Sequence, residues 1–267
     1  MKKIGYTLIV GVLVIAGYFI EDVLRSSNIQ GKNTDSSVPV LEIEGFNYLP
    51  TSTTQQIVKH NYYTLSYSEK HEQSEWVAYQ LKSSHVKKNN FKRPYFEMDP
   101  GVVTKSAHWK NYKKSGYDRG HLCPAGDRTF NKKAYDETFL TSNVSPQNHG
   151  FNAGIWNKLE RKIRYWLKKD KQYYIVTGPV FENTDTTIGI EKVPVPTHFY
   201  KIVLKYDSGK SKCIAFLIPH NTTHRNYREF VVPVDVLESK LNIDFFPALE
   251  DDLENKLEQN RNTGFTL

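Results

Sequence analysis

The chain has 267 residues, 39% hydrophobic and 24% charged, which fits one globular domain with an ample core plus an N-terminal appendage. Thirty-six Lys+Arg against 29 Asp+Glu give a net charge of +7, a balance that suits a polyanionic partner without selecting one. Two cysteines, Cys123 and Cys213, exclude a disulfide-scaffold protein.

Met1-Lys2-Lys3 precedes an uncharged apolar run from Ile4 to Ile20, closed by Glu21 and Asp22. This pattern predicts a signal anchor or a signal peptide over residues 1–20. The run lacks a clear small-x-small cleavage site, which favours the anchor and puts the rest of the chain outside the cytoplasm. Cleavage would make it secreted or periplasmic. Residues 21–40 read as a polar linker, and 41–267 as the globular domain.

Residues 60–68 and 75–82 alternate apolar and aromatic residues and predict two antiparallel strands joined by a charged turn. Residues 87–117 are basic, aromatic and irregular. Beyond Asn152, the residues Ile155, Leu159, Ile163 and Leu167 predict the apolar face of a helix, with Lys158, Arg161, Lys162, Lys168 and Lys169 opposite. Tyr173–Val180 reads as a central strand stopped by Gly178-Pro179. Thr197–Tyr206 and Lys212–Pro219 read as a hairpin around Asp207-Ser208-Gly209. Helices follow over Pro233–Leu241 and Glu250–Gln259. Strands outnumber helices and their connections look antiparallel, so the class is α+β. There is no internal repeat.

The most specific segment is Asp118-Arg119-Gly120-His121. A given four-residue string has a chance expectation of roughly 0.002 in a chain of this length, so the string carries information. It presents a histidine beside an acid, a base and a glycine, as a general base is presented at a strand end or loop. A second constellation follows: Asn143, Gln147, then Asn152, Trp156, Glu160 and Arg164 in steps of four. On a helix such steps drift slowly and make one oblique stripe. Polar groups near a buried face need a partner, and a hydrated metal ion is one. Bland alternatives stand beside these readings: Asn152 as a helix N-cap, and Glu160–Arg164 as a solvated salt bridge.

With these residues in place, the chain resembles the DNA/RNA non-specific endonucleases, the endonuclease G-like group with a ββα-metal (His-Me finger) active site. The resemblance runs from about Leu41 to Leu257, with weaker support from Leu41-Glu42-Ile43, Ser68–Trp76, Val195–Tyr200 and Phe245–Leu249. It implies a central antiparallel sheet flanked by helices on both faces, and a magnesium-dependent endonuclease giving 5′-phosphate products. It further implies His121 as the base that activates water, Asn152 as the direct magnesium ligand, and Glu160 as a ligand through water. Arg164 and Arg93 would contact phosphate, and Asn143 and Gln147 would support the metal-site loop. Asp118 would orient the loop or the imidazole, and Arg119 would brace the structure or the phosphate backbone. Manganese is the alternative ion, given oxygen and amide ligands.

The remaining readings are structural. His149, His198 and His220 read as structural, Trp156 and Trp166 as core, and Trp109 and Tyr112 as platforms for bases. Cys123 and Cys213 read as one bridge or two buried thiols. No base-reading motif is present, so the expected substrate is DNA, RNA or both at low sequence specificity. Expected partners are nucleic acid, a membrane through the N-terminal segment, and a second copy if a surface strand or helix dimerises. The rival functions are a non-catalytic binder of extracellular nucleic acid and an antibacterial effector of the same chemistry.

Overall fold

A computed structural model describes residues 46–182, 184–207 and 209–267 of the protein. The apolar run Ile4–Ile20, the linker over 21–40 and the string Leu41-Glu42-Ile43 lie outside the described residues. The chain forms β1 (Ile57–Lys59), β2 (Thr64–Ser68) and β3 (Gln73–Lys82), then a largely irregular stretch before β4 (Tyr117–His121). A short helix, α1 (Lys132–Glu137), starts where the Asn131 side chain accepts hydrogen bonds from the Lys133 and Ala134 amides. Then come β5 (Val144–Asn148), a π-helical turn over Phe151–Trp156, and α2 (Asn157–Asp170). Next are β6 (Gln172–Val180), β7 (Thr187–Ile188), β8 (Val193–Pro194), β9 (His198–Lys205), β10 (Lys212–Pro219) and β11 (Val231–Val232). The chain closes with α3 (Val234–Leu241) and α4 (Asp251–Glu258).

A seven-stranded sheet runs in the order β1-β2-β3-β6-β9-β10-β11, and every pairing in it is antiparallel. Successive side chains on a strand point to opposite faces, so the sheet carries two cores. Tyr79, Ile175, Phe199 and Val203 pack with Phe151, Trp156, Leu159 and Ile163 on the face that holds α2. Trp76, Val176, Ile202 and Leu204 pack with Val234, Leu237, Phe245 and Leu257 on the face that holds α3 and α4. Covering both faces is why the central strands read as continuous apolar runs. The α+β class and the helices on both faces are therefore present.

The strand expected over Tyr173–Val180 spans Gln172–Val180 and carries Gly178-Pro179 within its last residues. Its pairing with β3 ends at Thr177, and the last residues pair with β9 alone. The Tyr200 hydroxyl crosses this point to donate to the Glu75 carbonyl at 2.9 Å. A Cβ at Gly178 would lie 2.2 Å from that carbonyl oxygen and 2.7 Å from the tyrosine hydroxyl. Cys123 and Cys213 are both buried free thiols, which removes the bridge as a reading.

Gly178→Ala forces a methyl against backbone in a packed sheet. It should cost about 1–3 kcal/mol, read as a lowered urea midpoint with an unchanged slope.

Candidate active site

β4 and β5 form a two-stranded antiparallel ribbon, with Asp118 opposite Gln147, Gly120 opposite Ser145 and His121 opposite Val144. The pairing needs the glycine, because a Cβ at Gly120 would stand 2.1 Å from Gln147 Cδ. Gln147 is buried, and neither its Oε1 nor its Nε2 has a hydrogen-bond partner. Its placement is that of a spacer against Gly120. Asn143 ties the 122–143 connection: its Oδ1 accepts from the Cys123 amide at 2.8 Å, and its Nδ2 donates to the Cys123 and Thr138 carbonyls.

His121 ends β4 with Nε2 buried and unpartnered. Its ring stands edge-on to Phe139 at 4.9 Å and 5.5 Å from the Phe96 ring. The Arg93 guanidinium sits over the same two rings, 5.5 Å from Phe96 and 5.3 Å from Phe139. Burial, and then the Arg93 charge, push the imidazole down to about 3, so it is neutral at physiological pH. The segment carrying Arg93 is anchored by buried Asp99, which pairs with His60 Nε2 at 2.8 Å and accepts from the Gly101 amide and Ser142 hydroxyl. Arg119 lies over Phe96, Trp109 and Tyr112, and its Nη2 donates to the Trp109 carbonyl at 3.2 Å.

Asn152 sits inside the π-helical turn, whose N-cap is Gly150, so it does not cap the helix. The stripe in steps of four assumed an α-helix throughout, and this turn is the departure. Gly154 breaks helical geometry there at φ −94° and ψ −107°. Such a turn re-aims side chains relative to a regular helix. Asn152 Nδ2 donates to Asp118 Oδ2 at 3.0 Å, and His149 Nδ1 meets the same oxygen at 2.9 Å. Asp118 thus orients Asn152 and takes no hydrogen bond from His121, which corrects the imidazole-orienting option. His149 is exposed at the edge of this pair instead of serving the core.

One and two turns into α2 stand Glu160 and Arg164. They are 4.0 Å apart, but the closer partner of Arg164 is Asp127, at 2.8 Å from Nη1 to Oδ1. Tyr79 donates its hydroxyl to the other oxygen of Asp127 at 3.0 Å. Lys201 is fully buried beneath, with Nζ 4.9 Å from the Trp156 ring centroid and 3.4 Å from the Leu122 carbonyl. Burial raises the Glu160 carboxyl to about 7, although Lys201 and Arg164 draw it down; Asp127 pushes it further up. This is a desolvated charge network, unlike the solvated surface pair of the bland reading.

Asp127, Tyr79 and Lys201 were not singled out from the sequence. Asp127 closes the ten-residue segment that opens with Asp118, but nothing local ties it to Arg164. Lys201 did leave a signal: it falls between Phe199 and Val203, where strand alternation calls for an apolar residue. Tyr112 is buried and cannot serve as a base platform, whereas Trp109 is half-buried.

An antiparallel ribbon bearing a histidine, followed by a helix bearing an asparagine and a glutamate, is the ββα-metal arrangement of a nuclease. Residues 46–252 match the family described as DNA/RNA non-specific endonuclease, and the chain belongs to that family. It is 35% identical to the mitochondrial nuclease EXOG of Danio rerio, over 90% of this chain and 72% of that protein. It is 29% identical to the mitochondrial endonuclease G of Caenorhabditis elegans, over 93% and 94%. It is 33% identical to a nuclease of Nostoc sp., over 78% and 80%. A crystal structure of the EndoG/EndoGI complex, whose title concerns EndoG inhibition, superposes with a TM-score of 0.67 at 31% identity, covering 73% of this chain and 87% of that one. The protein is accordingly an endonuclease hydrolysing phosphodiester bonds, which displaces the reading as a binder alone.

The raised Glu160 carboxyl has a sign that can be tested. The folded protein holds this proton more tightly than the unfolded chain, so its contribution is full below pH 4.5 and is lost as pH rises through about 7. In metal-free buffer at pH 8, Glu160→Gln should gain on the order of 1–3 kcal/mol over the wild type, with little difference at pH 4, as read by urea unfolding.

Proposed function

We propose that this protein cleaves DNA and RNA internally without sequence preference, using water activated by His121 and a magnesium ion held by Asn152, and leaves 5′-phosphate ends. The observation that carries the reading is an unpartnered, neutral imidazole at the end of β4, on the same strand from which Asp118 tethers the Asn152 amide. A neutral imidazole with a free nitrogen accepts a proton from attacking water, and the surrounding Phe96 and Phe139 rings keep it from being charged beforehand. Asn152 commits its Nδ2 to Asp118, which directs the amide's acceptor oxygen away from that carboxylate.

The donor types fit a hard cation: an amide oxygen from Asn152 and a carboxylate from Glu160, with no thiolate, which suits magnesium, with manganese as the substitute. Glu160 would hold water of the ion's shell. When bound, the ion supplies charge neutralisation at the phosphate and stabilisation of the leaving 3′ oxygen. Arg93, exposed and beside His121, contacts the scissile phosphate. Arg164, fixed by Asp127, contacts the phosphate from the helix side. Arg119 braces the ribbon against the Trp109 segment. Phosphate contacts of this kind are blind to base sequence.

The Lys2-Lys3 pair ahead of Ile4–Ile20 supports an extracytoplasmic location on a membrane anchor, with a secreted or periplasmic form if the segment is cleaved. Nucleotide scavenging, defence and an antibacterial role would use the same site.

Supercoiled plasmid incubated with the protein should be nicked in magnesium and spared in EDTA. His121→Ala should lose roughly a hundred- to ten-thousand-fold in rate while keeping its circular dichroism spectrum. Asn152→Ala should fall comparably at low magnesium, and the product ends should be ligatable without kinase treatment. Full activity in His121→Ala, or 3′-phosphate ends, would sink the mechanism.

A further inference from the structure

On the sheet face opposite the ββα unit, five carboxylates gather where α3, α4 and the loop between them meet. Asp235 and Glu238 lie three residues apart on α3, so they share a face; Glu254 and Glu258 lie four apart on α4. Asp244 comes from the connecting loop, and all five line one open cleft. One carboxylate oxygen each from Asp235, Glu238 and Glu258 lies within 4.8 Å of the others.

Proximity of acids alone would mean little on an exposed surface. Here Glu258 is only 4% exposed, and its Oε1 has no hydrogen-bond partner. Among the described residues, none of the five is in a salt bridge with a lysine or arginine. Lys240, on α3 itself, pairs instead with Glu182 at 2.5 Å. Glu238 Oε1 accepts from the Phe245 amide at 2.9 Å, which fixes one wall of the cleft. A buried carboxylate whose charged neighbours are other acids needs a counter-charge, and among the described residues no basic side chain pairs with it.

We propose that Asp235, Glu238 and Glu258 bind a calcium ion that ties α4 to α3, at a site separate from the nuclease centre. Three oxygens within 4.8 Å of one another can share an ion whose oxygen contacts are about 2.3–2.6 Å. The donors are all carboxylate oxygens, with no imidazole or thiolate, which favours a hard cation over zinc. The high ligand charge and the room in the open cleft for water favour calcium over magnesium. Without an ion, burial first and then Glu238, Glu254, Asp235 and Asp244 push Glu258 up to about 9, so a proton is the competing neutraliser.

The test uses the full-length chain carrying Asn152→Ala, which removes the ion ligand proposed for the nuclease centre. Calorimetric titration with calcium chloride should give one site per chain, and calcium should raise the melting midpoint by several degrees over EDTA. Adding Asp235→Asn and Glu238→Gln should abolish both. These two substitutions in the otherwise wild-type chain should leave magnesium-dependent plasmid nicking in place, so a failure here is distinct from a failure of the nuclease mechanism. Glu258→Gln should raise the midpoint in EDTA and cancel the calcium-induced rise. Equal midpoints for the Asn152→Ala chain in calcium and EDTA, with no calorimetric site, would overturn the proposal and leave the proton as neutraliser. Calcium binding that survives Asp235→Asn with Glu238→Gln would overturn it as well.

Discussion

Burying both faces of one antiparallel sheet is the constraint from which the rest of this protein follows. Once β6 and β9 are covered on both sides, every outward side chain on them must be apolar or must be matched from above. The ββα unit packs its helix on one face through Trp156, Leu159 and Ile163. The α3–α4 pair covers the other through Leu237 and Leu257. The nuclease centre is therefore mounted on a packed platform, and its charged residues stand above a surface that excludes water.

That platform makes the electrostatics of the site strong. Lys201 projects from β9 into the same layer as Trp156, and Glu160 and Asp127 lie in its field. Two acids and two bases, Glu160, Asp127, Arg164 and Lys201, balance one another in a poorly solvated layer. Breaking the Asp127–Arg164 pair is costly, because removing one partner of this hydrogen-bonded pair leaves the other uncompensated. Such networks also hold side chains in fixed positions, which suits groups that must meet a phosphate. The acidic cluster on the far face is the counter-case: five carboxylates and, among the described residues lining the cleft, no base.

Much of this was legible before any coordinates. The β9–β10 hairpin and the helix ending at Leu241 follow from turn and helix-start residues, and the apolar face of Ile155, Leu159, Ile163 and Leu167 follows from periodicity, which reports burial directly. His121, Asn152, Glu160 and Arg164 were singled out by unusual residues at regular spacing. The π-helical turn over Phe151–Trp156 was not legible, because a spacing of four assumes a regular helix and one extra residue per turn leaves no local mark. Asp118 pointing to Asn152 was equally hidden, since the thirty-odd residues between them fold back only through the β4–β5 pairing.

By itself the amino-acid sequence determined the class of the fold, the order of its elements and the identity of the chemical groups on the ribbon and helix. Those depend on short-range patterns: alternation, helical period and a rare tetrapeptide. Only the tertiary structure decided which groups pair. It joined Arg164 to Asp127 across thirty-seven positions, set Arg93 and His121 on the same two phenylalanine rings, and left Glu258 buried among acids. Partner choice and desolvation depend on which distant surfaces meet, and a local pattern carries no term for that.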